Sequence, residues 1–247
     1  MDHGRTPAQK IILWALLAMA VVFTAVNIIL KFFPGVEFEG TLLRVAQSGE
    51  TTLYTGEKYK HPITITVTPE GQGSTVTLAI GDTVNHTYRV ICPGGTIYSS
   101  HGVAYDHLTV TCNDKVLFDG GYNPDSVYSS YCDLDGNLKT SGFARVSYGS
   151  SDPWYGYELH YSEVMAFAKG PETTTRGSWL HYGMALFFSA VCAVAVAFPY
   201  TLFELKHHWS VKDPEPTDFY LRMNEVSGGV VAVILLIVYL IGVTKIA

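Results

Sequence analysis

The stretch Cys132-Asp133-Leu134-Asp135-Gly136-Asn137 puts oxygen-bearing side chains on alternate positions beside a glycine, as a calcium loop does. An EF-hand needs Gly at its sixth position and Glu at its twelfth. Counted from Asp133, those positions hold Leu138 and Ala144, so an EF-hand is excluded. An ordinary Asp-Gly turn is the plainer reading; an irregular Ca²⁺ site at Asp133, Asp135 and Asn137 is the sharper one. His101, Asp106 and His107 are also metal-ligand types, but their spacing fixes no shared face in a β or loop region. No Cys or His pair stands beside them at zinc-site spacing. No metal and no cofactor is expected.

Catalytic constellations are equally sparse. A nucleophile elbow, an HExxH helix and a phosphate loop are all missing from the sequence. Glu158 and Glu163 offer a carboxylate pair, but residues 31–178 carry sixteen Asp and Glu, so such a pair discriminates nothing. The expectation is a protein that is not an enzyme. A membrane-bound envelope hydrolase working through Asp106, His107 or Glu158 is one alternative.

Rings with polar tips are dense between 98 and 161, and such rings are common in surfaces that recognise sugars and peptides. Tyr98, Tyr105, Trp154, Tyr155, Tyr157 and Tyr161 are the candidates for a binding surface. Tyr122, Tyr128, Tyr131 and Tyr148 belong to the same run. The competing reading is ordinary strand composition, because a half-buried sheet face uses tyrosine well. Cys92, Cys112 and Cys132 lie in the same region at intervals of twenty. In an oxidising compartment one pair among them would form a disulfide, with pairing left open; otherwise all three are free.

These residues need a scaffold, and the apolar pattern supplies one. Residues 11–30, 179–203 and 226–244 contain no charged side chain. About 20 apolar residues at ~1.5 Å each cross a hydrocarbon core of ~30 Å. Three such runs indicate a multi-pass membrane protein. The first has a basic flank, Arg5 and Lys10, as a signal peptide does, but its apolar run exceeds the usual length, so an uncleaved anchor is expected.

Between the first two runs the pattern turns to β. Residues 63–68 and 75–80 alternate apolar and hydroxyl side chains around a Pro69–Gly73 loop, which predicts a hairpin. Residues 108–112 and 115–118 flank Asn113-Asp114, a pair suited to a type I′ turn. Further strands are expected near 41–46, 51–55, 86–92, 143–148 and 155–167. Short strands with frequent turn signals predict an antiparallel β-sandwich or barrel-like domain.

The predicted organisation is therefore an N-terminal segment 1–10, a span 11–31, a β-rich domain 36–170, a span 179–203, a loop 204–225 and a span 226–244. The two short segments carry five Lys and Arg in 32 positions, against ten in the 148 of region 31–178. That density favours a cytoplasmic N-terminus and loop, with the large domain outside the plasma membrane. The acidic balance of that domain excludes nucleic acid as a partner, which would need a basic footprint.

Within the spans, Asn27 and His181 are the few polar candidates, too few to predict an ion path. Ala185, Ser189, Ala193 and Ala197 recur every four residues and make a ridge of small side chains. That ridge packs either on this chain's own helices or on a protein partner or second copy. Lipid is the partner of the remaining faces.

The loop and third span hold Trp209, Glu215-Pro216-Thr217, Phe219-Tyr220 and Gly228-Gly229. A tryptophan, Glu-Pro-Ser/Thr, two residues and an aromatic, then a glycine-led apolar helix, resembles an uncharacterised family of small bacterial membrane domains. The resemblance covers about 204–245 and implies no activity. The functional expectation is a membrane-anchored extracytoplasmic binding or docking protein. An accessory or assembly subunit of a larger membrane complex is the other alternative.

Overall fold

The computed structural model describes residues 5–127, 129–139, 152–207 and 215–246. The expected strand 143–148, together with Tyr128, Tyr148 and Trp209, lies outside the described residues. The chain divides into two compact units, residues 35–173 and residues 1–34 with 174–247.

Among the described residues the first unit is built on an antiparallel sheet of eleven strands. These are β1 (Gly35–Phe38), β2 (Thr41–Ser48), β3 (Thr51–Lys58), β4 (His61–Glu70), β5 (Gly73–Ile80), β6 (Val84–Ile91), β7 (Thr96–Tyr98), β8 (Ala104–Cys112), β9 (Lys115–Tyr122), β10 (Tyr131–Asp133) and β11 (Leu138–Lys139). Neighbours in sequence are neighbours in the sheet, except that β6 pairs β8 while β7 lies along β8's first residues. Both predicted hairpins are present. Ile63 pairs Ile80 and Thr68 pairs Thr75 across the first. In the second, Asn113 and Asp114 both take positive φ, 47° and 67°, as a type I′ turn requires.

Alternation buries one side of β4 and β5. Ile63, Ile65 and Val67 of β4 meet Val76, Leu78 and Ile80 of β5 in a single apolar core with Tyr88, Val90, Leu108 and Val110. Cross-strand pairs of β-branched residues stabilise such a face by about 0.2–1 kcal/mol each.

The segment 155–167 is not a strand. It runs irregularly to His160 and then forms helix α2 (Tyr161–Lys169). The His160 side chain accepts from the Ser162 amide, and the Glu163 carboxylate accepts from the His160 amide at 2.8 Å, a capping box. Val164, Met165 and Phe167 of α2 lie fully inside the core.

This nine-residue helix sets the curvature of the sheet. Phe167 packs edge-on to Phe38 of β1 (5.8 Å between centroids) and Tyr54 of β3 (5.2 Å). Tyr161 stacks on Phe118 of β9 (4.4 Å) and meets Tyr131 of β10 (5.1 Å). Eight inter-strand steps separate β1 from β10, about 38 Å if the sheet were flat. Residues 161 and 167 are only about 9 Å apart along a helix. The sheet must curl around α2 for both contacts to exist. Among the described residues the curl stops short of a barrel, since β1 and β11 do not pair.

The second unit holds α1 (Pro7–Leu30), α3 (Trp179–Ala197), α4 (Pro199–His207) and α5 (Asp218–Thr244). α1, α3 and α5 are long and apolar enough to cross a membrane. The second span ends at Ala197 rather than 203 because Pro199 lacks an amide hydrogen and forces Phe198 out of the helical region (φ −129°, ψ 52°). The helix that carries the third apolar run starts at Asp218, eight residues before that run, with Thr217 as its N-cap: the Thr217 hydroxyl accepts from the Tyr220 amide.

α1 and α5 run parallel and α3 antiparallel between them. The Thr6 hydroxyl donates to Glu225 at one end (2.6 Å), while Arg176 bridges Ile246 at the other. Leu16, Cys192, Val196 and Leu235 form one buried cluster, and Phe23, Tyr182, Ala185 and Tyr239 another. Gly228 makes the α3–α5 approach possible: a Cβ there would lie 2.5 Å from Val196 Cγ2.

Candidate functional site

A cavity of about 270 Å³ opens between β8, β9 and α2 in the 35–173 unit, lined among others by Cys92, Thr96, Asp106, Tyr122, Met165 and Lys169. Its wall follows from strand alternation. Leu108 points into the core, so Asp106, two residues earlier on β8, takes the same side. Register places Thr96 opposite Asp106 on one flank and Tyr122 opposite it on the other. Cys92 follows the end of β6, its amide held by the Gln72 carbonyl at 3.1 Å. The chain then turns through Gly94 and Gly95, whose φ values of 86° and 102° suit glycine. The Gly95 carbonyl accepts from the His107 amide at 3.0 Å, which fixes that turn against β8.

Lys169, in the last turn of α2, carries its ammonium 5.0 Å above the Tyr122 ring. A cation over an aromatic face at a helix C-terminus is favourably placed on both counts. Burial pushes the Tyr122 phenol up, with the Asp125 carboxylate adding to the shift, so the ring stays neutral beneath the ammonium. Among the described residues the ion pairs are His107–Asp119 and Lys139–Asp133. Asp106 and Lys169 belong to neither. The cavity therefore presents an exposed thiol, a carboxylate and an ammonium around an apolar floor of Leu108 and Met165.

Most of the aromatic candidates are not on the surface. Tyr105, Trp154 and Tyr157 are buried and Tyr161 is half-buried; Tyr98 and Tyr155 are exposed. The hydroxyls of Tyr105 and Tyr157 find partners inside the fold. The Tyr105 hydroxyl donates to the Ser129 carbonyl (2.8 Å), and that of Tyr157 to Glu39 (3.0 Å). Trp154 is turned inward by Asp152, whose carboxylate accepts from the Trp154 amide at 2.8 Å. It packs edge-on to Tyr157.

The Asp133 carboxylate is turned onto its own loop. It accepts from the amides of Asp135 (3.1 Å) and Asn137 (2.8 Å), from the Asn137 side chain, and from Lys139 (3.3 Å). That is an Asx turn, and the Asn137 amide is the main cause of a carboxyl held below its ordinary range. Among the described residues no group of three or more His, Cys, Asp or Glu is placed to hold a metal ion. The three cysteines of this unit are free thiols, Cys92 exposed and Cys112 and Cys132 buried. Burial pushes both buried thiols up.

Asp106 and His107 both line the cavity, and Glu158 does not. His107 takes the opposite side of β8 from Asp106, where its Nε2 meets Asp119 at 2.8 Å. Glu158 acts electrostatically on Cys112, six residues along β8 from Asp106, about 20 Å in a strand.

In the helical unit the small-residue ridge is occupied from within. Ala185 packs against Phe23, Tyr182 and Tyr239. The Ser189 hydroxyl donates to the Ala185 carbonyl (2.7 Å) and sits 3.3 Å from that of Tyr239. Ala193 joins the cluster of Leu16 and Leu235, and Ala197 is half-buried. His181 is bonded to Ser178 at 2.8 Å and Asn27 to the Phe23 carbonyl at 2.9 Å.

The cavity gave no motif to read, because its members come from β6, β7, β8, β9 and α2, and only register and the curl of the sheet unite them. No curated protein and no solved structure matches the chain. Residues 184–243, which comprise most of α3, all of α4 and nearly all of α5, match a family of unknown function, DUF6199.

Proposed function

We propose that this chain is a multi-pass plasma-membrane protein that holds its β unit outside the cytoplasm and binds a small polar ligand there without transforming it. The cavity lined by Asp106, Tyr122 and Lys169 carries the reading. Its size suits a small molecule, and it combines apolar walls with a few polar groups, as ligand sites do. The higher density of Lys and Arg in the N-terminal and 204–225 segments supports the external placement. An accessory subunit held through the ridge of α3 has less support, because Ala185 and Ser189 face this chain's own helices. A hydrolase reading has less support, since the His107 ring is engaged by Asp119 and Glu158 does not line the cavity.

Native mass spectrometry of the full chain in lipid nanodiscs tests the proposal. The purified protein is expected to carry a small-molecule mass that Thr96→Trp, a change on an exposed cavity wall, displaces. A wild-type protein with no such mass even after incubation with a metabolite extract overturns it.

A further inference from the structure

The two unpaired charges of the cavity specify more than polarity. Asp106 and Lys169 carry opposite signs, line the same space, and take part in no ion pair among the described residues. Their separation is bounded by the sheet. Asp106 and Tyr122 are directly opposed in register, a Cβ distance of about 4.5–5.5 Å. The Lys169 ammonium then stands 5.0 Å over the Tyr122 ring. The carboxylate and ammonium are thus neighbours across one ring, yet they do not meet. A ligand that bridges them must present a cation to Asp106 and an anion to Lys169 over a short span.

Building on the binding role proposed above, we infer that the cavity takes a zwitterion of the α-amino-acid type, its ammonium on Asp106 and its carboxylate on Lys169. The amino nitrogen and a carboxylate oxygen of such a molecule lie about 3 Å apart. Two charge-assisted hydrogen bonds of about 2.8 Å extend the reach to roughly 8–9 Å. Leu108 and Met165 offer apolar surface to a small side chain, and the Thr96 hydroxyl stands beside Asp106. A lone anion would leave Asp106 facing it, and a lone cation would leave Lys169 facing it, so either monopole meets one repulsive group.

Cys92 supplies a reporter, since it is the exposed thiol of the cavity wall while Cys112, Cys132 and Cys192 are buried. The test measures the rate of Cys92 alkylation by iodoacetamide in the nanodisc-embedded full chain. L-alanine is the probe, with ethylamine and propionate as its separated charges. Alanine is expected to slow alkylation saturably, and neither monopole to do so at the same concentration. Asp106→Asn and Lys169→Gln, both at exposed positions, should each weaken alanine protection by about tenfold or more, as loss of a charged hydrogen bond does. Protection by propionate alone, indifferent to Asp106→Asn, overturns the zwitterion and leaves cavity binding in place. The same holds if alanine gives no protection while the native protein still carries a mass that Thr96→Trp displaces. No protection and no such mass removes the binding proposal as well.

Discussion

At the scale of single residues, side chains with polar tips are placed by where their hydrogen bonds can close. Tyr88 is fully buried, and its hydroxyl accepts from the Leu159 amide at 2.8 Å. The Tyr105 and Tyr157 hydroxyls instead donate, to the Ser129 carbonyl and to Glu39, and the described members of the aromatic run, which reads in sequence as surface or as strand composition, are mostly buried or half-buried. Composition cannot separate the two cases, because the hydroxyl that suits a binding face also satisfies a buried loop amide. Asp133 was more legible: an Asp two residues before another Asp and three before Gly is a turn former, and the structure makes it one. Its carboxyl is held low by the Asn137 amide, with Lys139 contributing. The sign follows. A carboxyl depressed in the folded state stabilises its loop above the unfolded value of about 4, and that support is lost as pH falls through the lower folded value. The Asn137 amide is therefore expected to lose exchange protection as the solution is acidified below about pH 4. Asp133→Asn should remove that pH dependence. Protection in the parent that persists unchanged to pH 2 would contradict the assignment.

At the scale of elements, strands with strict alternation were legible to within a few residues, and α2 was not. Tyr155, Tyr157, Leu159 and Tyr161 alternate as a strand does, which masks a helix starting at residue 161. Its apolar set, Val164, Met165, Phe167 and Ala168, has helical spacing, but nine residues carry too few turns to outweigh the preceding pattern. The cap is also unusual, with His160 where Ser, Thr, Asp or Asn is common. The pause at Phe198-Pro199 shows the reverse: one proline was enough to end α3, although the apolar run continues past it. The ridge on α3 could be read in sequence, but its partner could not, since small side chains admit any close neighbour. In the structure Ala185 is fully buried against Phe23, Tyr182 and Tyr239. Ala185→Leu adds three carbons there and is expected to destabilise the bundle by about 1–3 kcal/mol. Val191→Ala, on the outward face of the same helix, should change little. Denaturant titration of the chain in mixed micelles reads both. An Ala185→Leu protein as stable as its parent would mean that the ridge faces outward.

At the scale of the whole molecule, three spans fix a parity that is independent of any ligand. The parallel course of α1 and α5 brings Thr6 to Glu225 at one end and Lys31 and Lys245 to Gly177 at the other. If all three helices cross, residues 5–6 and the loop before α5 share one side of the membrane, and residues 31, 174–178 and 245–246 take the other. Which side is which depends on charge. Arg5, Lys10, Lys206 and Arg222 belong to the first side, whereas the 31–178 region has a lower density of basic residues. Each cationic side chain near a membrane end biases that end towards the cytoplasm, although a long region crosses largely regardless of its own charge. Short epitope tags at the two ends of the chain separate these arguments. In intact cells a C-terminal tag is expected to be digested by added protease and an N-terminal tag to survive until the membrane is opened. The opposite pattern would keep three spans but put the cavity in the cytoplasm, where its ligand would come from a different pool. Tags that are both digested, or both protected, would require an even number of crossings. The pairing of Thr6 with Glu225 could then not hold in the membrane, because α1 and α5 could no longer both span in the same direction with α3 between them.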